Sequence, residues 1–167
     1  MRWSSLFLDL ESRMAAELAL QRRGEAWDLA QAEMTRLGLG DRFRAAIGRR
    51  VIIDTRSGRV AGEVAHVGVD HLVVEDERGS VLVAMGGVVG VSGLGGAKEE
   101  PSRVVAGLKL ASACRRLAEE GGLVRVYACR REPFVGRLVR VGADHLDLGG
   151  RENVTLAYRY IDYLASY

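Results

Sequence analysis

The sequence predicts an α+β, mainly β chain: two tandem five-stranded small β-barrels, each preceded by a helix, behind a long N-terminal helical segment. Three observations predict it. GEVAHVGVDHL from Gly62 recurs as GRLVRVGADHL from Gly136, so that Gly62, Val67, Gly68, Asp70, His71 and Leu72 each return 74 positions later. Around both copies, short segments rich in Val, Ile, Leu and Tyr alternate with Gly, Asp and Ser in the order helix, five strands, helix, five strands. After a hairpin one residue shorter, Val81, Ala84, Val88 and Val91 match Val154, Ala157, Ile161 and Leu164. The expected boundaries are 1–40 for the N-terminal helical segment, 41–93 for the first barrel with its short leading helix, 94–102 for a linker, and 103–167 for the second barrel with its leading helix.

Residues 4–37 hold no proline, and Leu6, Leu10, Met14 and Leu18, then Trp27, Ala30, Met34 and Leu37, fall three and four apart. That spacing predicts one amphipathic helix, or two meeting near Gly24, ended by Leu-Gly-Leu-Gly at 37–40. The apolar stripe suits packing on the chain's own barrels as well as a coiled-coil contact with another copy. Asp41 suits the start of a short helix, DRFRAAIG, and the strands RVIIDT, RVAGEVAHV, HLVVE, SVLVAM and VVGVS follow. GLGGAKEEPS at 93–102 reads as a linker. A helix from about Ser102 to Glu120 ends at Gly121-Gly122, and LVRVYAC, PFVGRLVRV, HLDL, VTLAY and IDYLA complete the second set.

Composition bounds the function only loosely. The chain has 167 residues, 48% hydrophobic and 28% charged, with a formal net charge of +2. This is enough for a core and neither demands nor excludes a nucleic-acid partner, since clustering decides that. Cys114 and Cys129 are the only cysteines and show no metal-ligand spacing, which predicts a reduced, cytoplasmic setting without disulfide, zinc or other cofactor. MRWSSLFLDLESR carries acids directly after a short apolar patch and is expected to be neither a signal peptide nor a membrane span.

The short helix followed by five bent strands, with a glycine inside strand two (VAGEVAHV and FVGRLVRV), resembles the Sm and Sm-like family, which includes the bacterial Sm-like RNA chaperone. VRVYACRREPFVGRLVRVGADHLDL with YRYIDYL is the closer match, and the resemblance spans roughly 41–92 and 103–165. It implies five-stranded barrels, edge pairing between strand four of one unit and strand five of a neighbour, and single-stranded RNA as ligand. A covalent tandem satisfies one such pairing internally, and the leftover edges or the N-terminal helix imply a homo-oligomer. The Arg-Gly pair of the family's second motif is absent, Ala84-Met85 and Ala157-Tyr158 standing nearest to it. The whole chain, from its MRWSSLFLDLE opening, also resembles a group of actinobacterial proteins sometimes labelled Fis-type transcription regulators. A Fis-type DNA-binding domain ends in a helix-turn-helix, whereas this chain is expected to end in strands.

The resemblance places Tyr158, Arg159 and Tyr160 where the family's RNA-facing pore lies, a suitable set for base stacking and phosphate contact. The first unit has Met85-Gly86-Gly87 there. Arg137, Arg140 and His145 are further candidates, because from residue 122 onward seven Arg face five acids, while from 48 to 93 five Arg face six. Asp70-His71 and Asp144-His145 fit a tight turn better than a ligand site, and no nucleophile or paired acid accompanies them, so no catalytic residue is assigned. His66 has Arg140 as its counterpart, which argues against a histidine metal site common to both units. Two functions from different classes follow: a non-enzymatic single-stranded RNA-binding or RNA-chaperone-like protein, or a protein-interaction and assembly scaffold without nucleic acid.

Overall fold

The computed structural model describes residues 22–23, 38–95, 108–150 and 153–166. The chain divides into two units, Met1–Gly38 and Leu39–Tyr167. The expected N-terminal helical segment lies outside the described residues apart from Arg22 and Arg23, which are helical, and most of the 94–102 linker does too.

In Leu39–Tyr167, alternating apolar residues build the strands and glycine turns separate them. Helix α1 (Leu39–Arg44) carries Asp41 in its first turn and inserts Phe43 into the core. Strands β1 (Arg50–Thr55), β2 (Gly58–Val67), β3 (His71–Asp76), β4 (Gly79–Ala84) and β5 (Val88–Ser92) follow. Helix α2 (Leu110–Glu120) buries Leu110 and Cys114 and stops at Gly121, whose φ of 68° takes the left-handed conformation that ends a helix. Strands β6 (Leu123–Tyr127), β7 (Phe134–Val141), β8 (His145–Gly149), β9 (Val154–Ala157) and β10 (Tyr163–Ser166) complete the chain.

All ten strands belong to one antiparallel sheet, ordered β5-β1-β2-β3-β4-β10-β6-β7-β8-β9. This corrects the expectation of two separate barrels. The strands and their division into fives are there, but β10 pairs with β4 on one side (Leu164 opposite Leu82) and β6 on the other (Leu164 opposite Val126). The physical reason lies in β4, whose Val-Leu-Val-Ala run is apolar without alternation, the pattern of a strand buried on both faces. Val83 joins the core of the first half with Phe43, Ile53, Val64 and Leu72. Leu82 and Ala84 join that of the second half with Cys114, Val126, Leu146, Ile161 and Leu164. A strand shared by two cores cannot be the outer wall of one barrel.

The repeat superimposes in register. Val51 faces Gly62 as Val124 faces Gly136, and Leu72 faces Val83 as Leu146 faces Leu156. Both second strands bulge just past their glycine, at Val64/His66 and Leu138/Arg140. Gly62 and Gly136 are required there because a Cβ would overlap the carbonyl of Glu75 or lie 2.6 Å from that of Gly149.

The cysteines differ sharply. Cys114 is fully buried, and burial, aided by the Asp70 charge, pushes its thiol up to about 12, whereas Cys129 is exposed. A maleimide at neutral pH is therefore expected to label one thiol per native chain, at Cys129, and two after denaturation. Peptide mapping of the labelled protein checks this.

Candidate nucleic-acid interface

Beside the seam between β4 and β10, Arg56 of the first half meets Asp162 of the second. Asp162, fully buried immediately before β10, is the centre of this contact. The Nε and Nη2 of Arg56 both lie 2.7 Å from Oδ1 of Asp162, and the Ser57 hydroxyl and the Cys129 amide (3.1 Å) donate to its Oδ2. Ser57 Oγ in turn accepts from the Arg130 amide at 3.0 Å. Gly87 must be glycine, since a Cβ there would sit 2.6 Å from the Asp162 Cα. Cys129 holds a left-handed φ of 54°, unusual for a residue with a Cβ, and is fixed by that amide bond and by Sγ against the Tyr160 carbonyl at 3.4 Å.

Tyr158, Arg159 and Tyr160 form a 3-10 turn (Tyr158–Tyr160) between β9 and β10, beside this network. Arg159 and Tyr160 face solvent: Tyr160 is 50% exposed, with the Arg159 guanidinium 4.8 Å from its ring centre. Arg56 donates to the Arg159 carbonyl at 3.2 Å, locking the turn onto the first half. Arg130 lies over the Phe134 ring at 3.8 Å, and Arg131 is exposed next to it in the chain. The Arg56 side chain, the Arg130 amide and the Arg159 carbonyl are thus linked through Asp162, Ser57 and the turn, and Arg159 alone of the three stands beside the exposed Tyr160 ring.

Tyr158 is a packing residue. Its hydroxyl donates to the Gly142 carbonyl at 3.3 Å, and burial raises its pKa to about 12. Arg137 donates to the Gly121 carbonyl at the end of α2, and Arg140 lies opposite Asp147 in the β7–β8 ladder. His145 bonds Asp144 through Nδ1 at 2.8 Å, and this bond holds the Asp144 carboxyl below the usual range. None of these last three is bonded to Arg159 or Tyr160. Sequence reasoning missed Arg56, whose place in an Arg-Ser-Gly hairpin turn resembles many solvated arginines, and Asp162, whose partner lies 106 positions away.

The Gly-x-Asp-His stretch is a turn in both halves. Gly68 donates to the His71 carbonyl (2.8 Å) and Gly142 to that of His145 (2.9 Å). Each imidazole lies over its glycine, where a Cβ would overlap it. Asp70 bonds His71 at 3.2 Å and also accepts the Leu110 amide at 2.7 Å, so it caps the start of α2. Among the described residues, no three His, Cys, Asp or Glu side chains come together as a metal site would need, and no helix is long and apolar enough to cross a membrane.

A family model described as a domain of unknown function (DUF2642) matches residues 40–92. The match runs from α1 to the end of β5. It therefore takes in the whole first repeat and leaves out its twin. A search of curated proteins finds no match.

Proposed function

We propose that this chain is a non-enzymatic single-stranded nucleic-acid-binding protein, of the RNA-binding or RNA-chaperone-like kind its Sm-like resemblance implies, and that its contact surface is the Arg159–Tyr160 end of the seam. The observation that carries this reading is the Arg159 guanidinium 4.8 Å from the centre of the exposed Tyr160 ring, in a turn that Arg56 holds through the Arg159 carbonyl. Asp162 is paired with Arg56, which leaves the Arg159 charge at the surface. A half-exposed ring held by backbone bonds offers a stacking platform of low entropic cost, and guanidinium groups beside it meet phosphate.

Fluorescence anisotropy of a labelled single-stranded RNA tests the reading. Binding should weaken as salt rises, and Arg159→Ala should flatten the slope of log K against log salt by about 0.7, one phosphate contact on a single strand. Tyr160→Ala should cost about 1–3 kcal/mol, the worth of one stacked base. Absence of salt-sensitive binding at low ionic strength overturns the reading. The alternative, an assembly scaffold without nucleic acid, is favoured by a separate observation: the sheet ends in two strand edges that no described strand covers.

A further inference from the structure

The turn that carries Arg159 and Tyr160 belongs to the second repeat, yet the side chain that bonds its middle carbonyl belongs to the first. We propose that Arg56 is a positioning residue for the nucleic-acid contact, so that binding by the second repeat depends on the first; this rests on the reading under Proposed function. The first repeat supplies the rigidity and the second supplies the contact.

The backbone of the turn is held residue by residue. The Tyr158 amide donates to the Asp144 carbonyl at 2.9 Å, and the Tyr158 carbonyl accepts the Ile161 amide at 3.0 Å. The Tyr160 carbonyl has the Cys129 thiol at 3.4 Å, a weak donor from within the second repeat. Between them, the Arg159 carbonyl accepts from Nη2 of Arg56 at 3.2 Å, a charged and therefore stronger donor. The same nitrogen lies 2.7 Å from Oδ1 of Asp162, two residues beyond the turn. One guanidinium thus bridges the middle of the turn and the residue at its exit.

Arg56 is itself fixed by its own repeat. Its amide donates at 3.4 Å to the carbonyl of Gly87, the last residue of the first repeat's 3-10 turn (Met85–Gly87). Gly87 in turn packs so closely on Asp162 that a Cβ there would meet both its Cα and its Oδ1 at 2.6 Å. The guanidinium of Arg56 is occupied by Asp162 and the Arg159 carbonyl, and Arg159 is the side chain left to meet phosphate.

The two repeats divide these tasks unequally. Cys129 stands 73 positions after Arg56, carries no guanidinium, and reaches the Tyr160 carbonyl alone. The first repeat's own turn has Gly86 and Gly87 where the second has Arg159 and Tyr160, so it offers neither a ring nor a cation. Holding group and contact groups have separated onto different copies of the duplicated unit. A turn released from Arg56 must be ordered again whenever a base stacks on Tyr160, which weakens binding about tenfold for each residue so released.

Anisotropy of a labelled, unstructured single-stranded RNA tests the proposal. Arg56→Met should weaken binding about tenfold while leaving the slope of log K against log salt unchanged, and Arg56→Lys, which keeps a charged donor for both oxygens, should restore most of the affinity. A folded Arg56→Met that binds as tightly as wild type overturns the proposal. So does a slope flattened by about 0.7, because Arg56 would then be a phosphate contact itself. If Arg56→Met does not fold, Arg56→Met/Asp162→Asn takes its place under the same criteria, since it removes both charges and leaves an amide oxygen for Ser57 and Cys129. Nitrogen-15 relaxation of the free protein reads the turn without RNA. Order parameters of the Arg159 and Tyr160 amides should be about 0.85 in wild type and below about 0.6 in the variant, with those of β4 and β6 unchanged. Unaltered order at Arg159 and Tyr160 overturns the positioning role. Wild type that binds no RNA refutes the nucleic-acid reading instead, and the relaxation result still decides whether Arg56 positions the turn.

Discussion

Asp162→Ala is expected to destabilise the chain by about 3–5 kcal/mol, the usual cost of removing one partner of a buried ion pair. The carboxylate is fully buried and holds four donors: two nitrogens of Arg56, the Ser57 hydroxyl and the Cys129 amide. Alanine would take the acceptor from Arg56 Nε, the Ser57 hydroxyl and the Cys129 amide, leaving Arg56 only the Arg159 carbonyl, and each orphaned donor carries its own desolvation cost. Arg56→Met should cost at least as much at neutral pH, because it leaves the fully buried Asp162 carboxylate without a counter-charge and with only the Ser57 hydroxyl and the Cys129 amide as donors. The double variant should then cost less than the sum, since the two residues share one interaction. Urea denaturation of the four proteins measures the cycle, and a loss below about 1 kcal/mol for Asp162→Ala would mean that the seam is not held by this residue.

The second large effect is expected at the bend of each long strand. Gly62→Ala places a methyl group into the Glu75 carbonyl and within 2.8 Å of Val74, and Gly136→Ala meets the Gly149 carbonyl at 2.6 Å. Neither obstacle is the tip of a flexible side chain, so the paired strand itself must shift, and overpacking of this kind costs about 1–3 kcal/mol. Gly86→Ala is the control: nothing lies within 4 Å of the added carbon, and its stability should stay within about 0.5 kcal/mol of wild type. Thermal denaturation should rank Gly62→Ala lowest and Gly86→Ala beside wild type.

Much of the strand pattern was legible because the duplication marks it twice. RVIIDT and VVGVS are the observed β1 and β5 residue for residue, and the Gly-x-Asp-His stretch marks the same turn in both halves. The pairing of strand four of one unit with strand five of the other was within reach only through what the Sm-like resemblance implies, since an unpaired edge demands a partner without naming it. The single sheet was harder to see. Alternation along a strand reports which face is buried and not whether a second core lies behind it, and only the unbroken apolar run of β4 hinted at two.

The candidate site was legible in part. Arg159 and Tyr160 lie in an aromatic-basic stretch that draws the eye, whereas Tyr158 belongs to the same stretch and is spent on packing. Arg137 looks like part of a basic patch and instead ends a helix, a role decided by where the α2 carbonyls fall in space. Arg56 and Asp162 gain their roles only through the seam, from opposite ends of the sequence.

Amide hydrogen exchange at the twin positions Ala84 and Ala157 tests most directly the claim that one joint, β4 with β10, unites the halves. The Ala84 amide, bonded across the seam to Asp162, should be strongly protected at every protein concentration. Ala157, at the end of edge strand β9, should exchange quickly in dilute solution. An Ala84 amide that exchanges as fast as Ala157 in the dilute protein would contradict the continuous sheet.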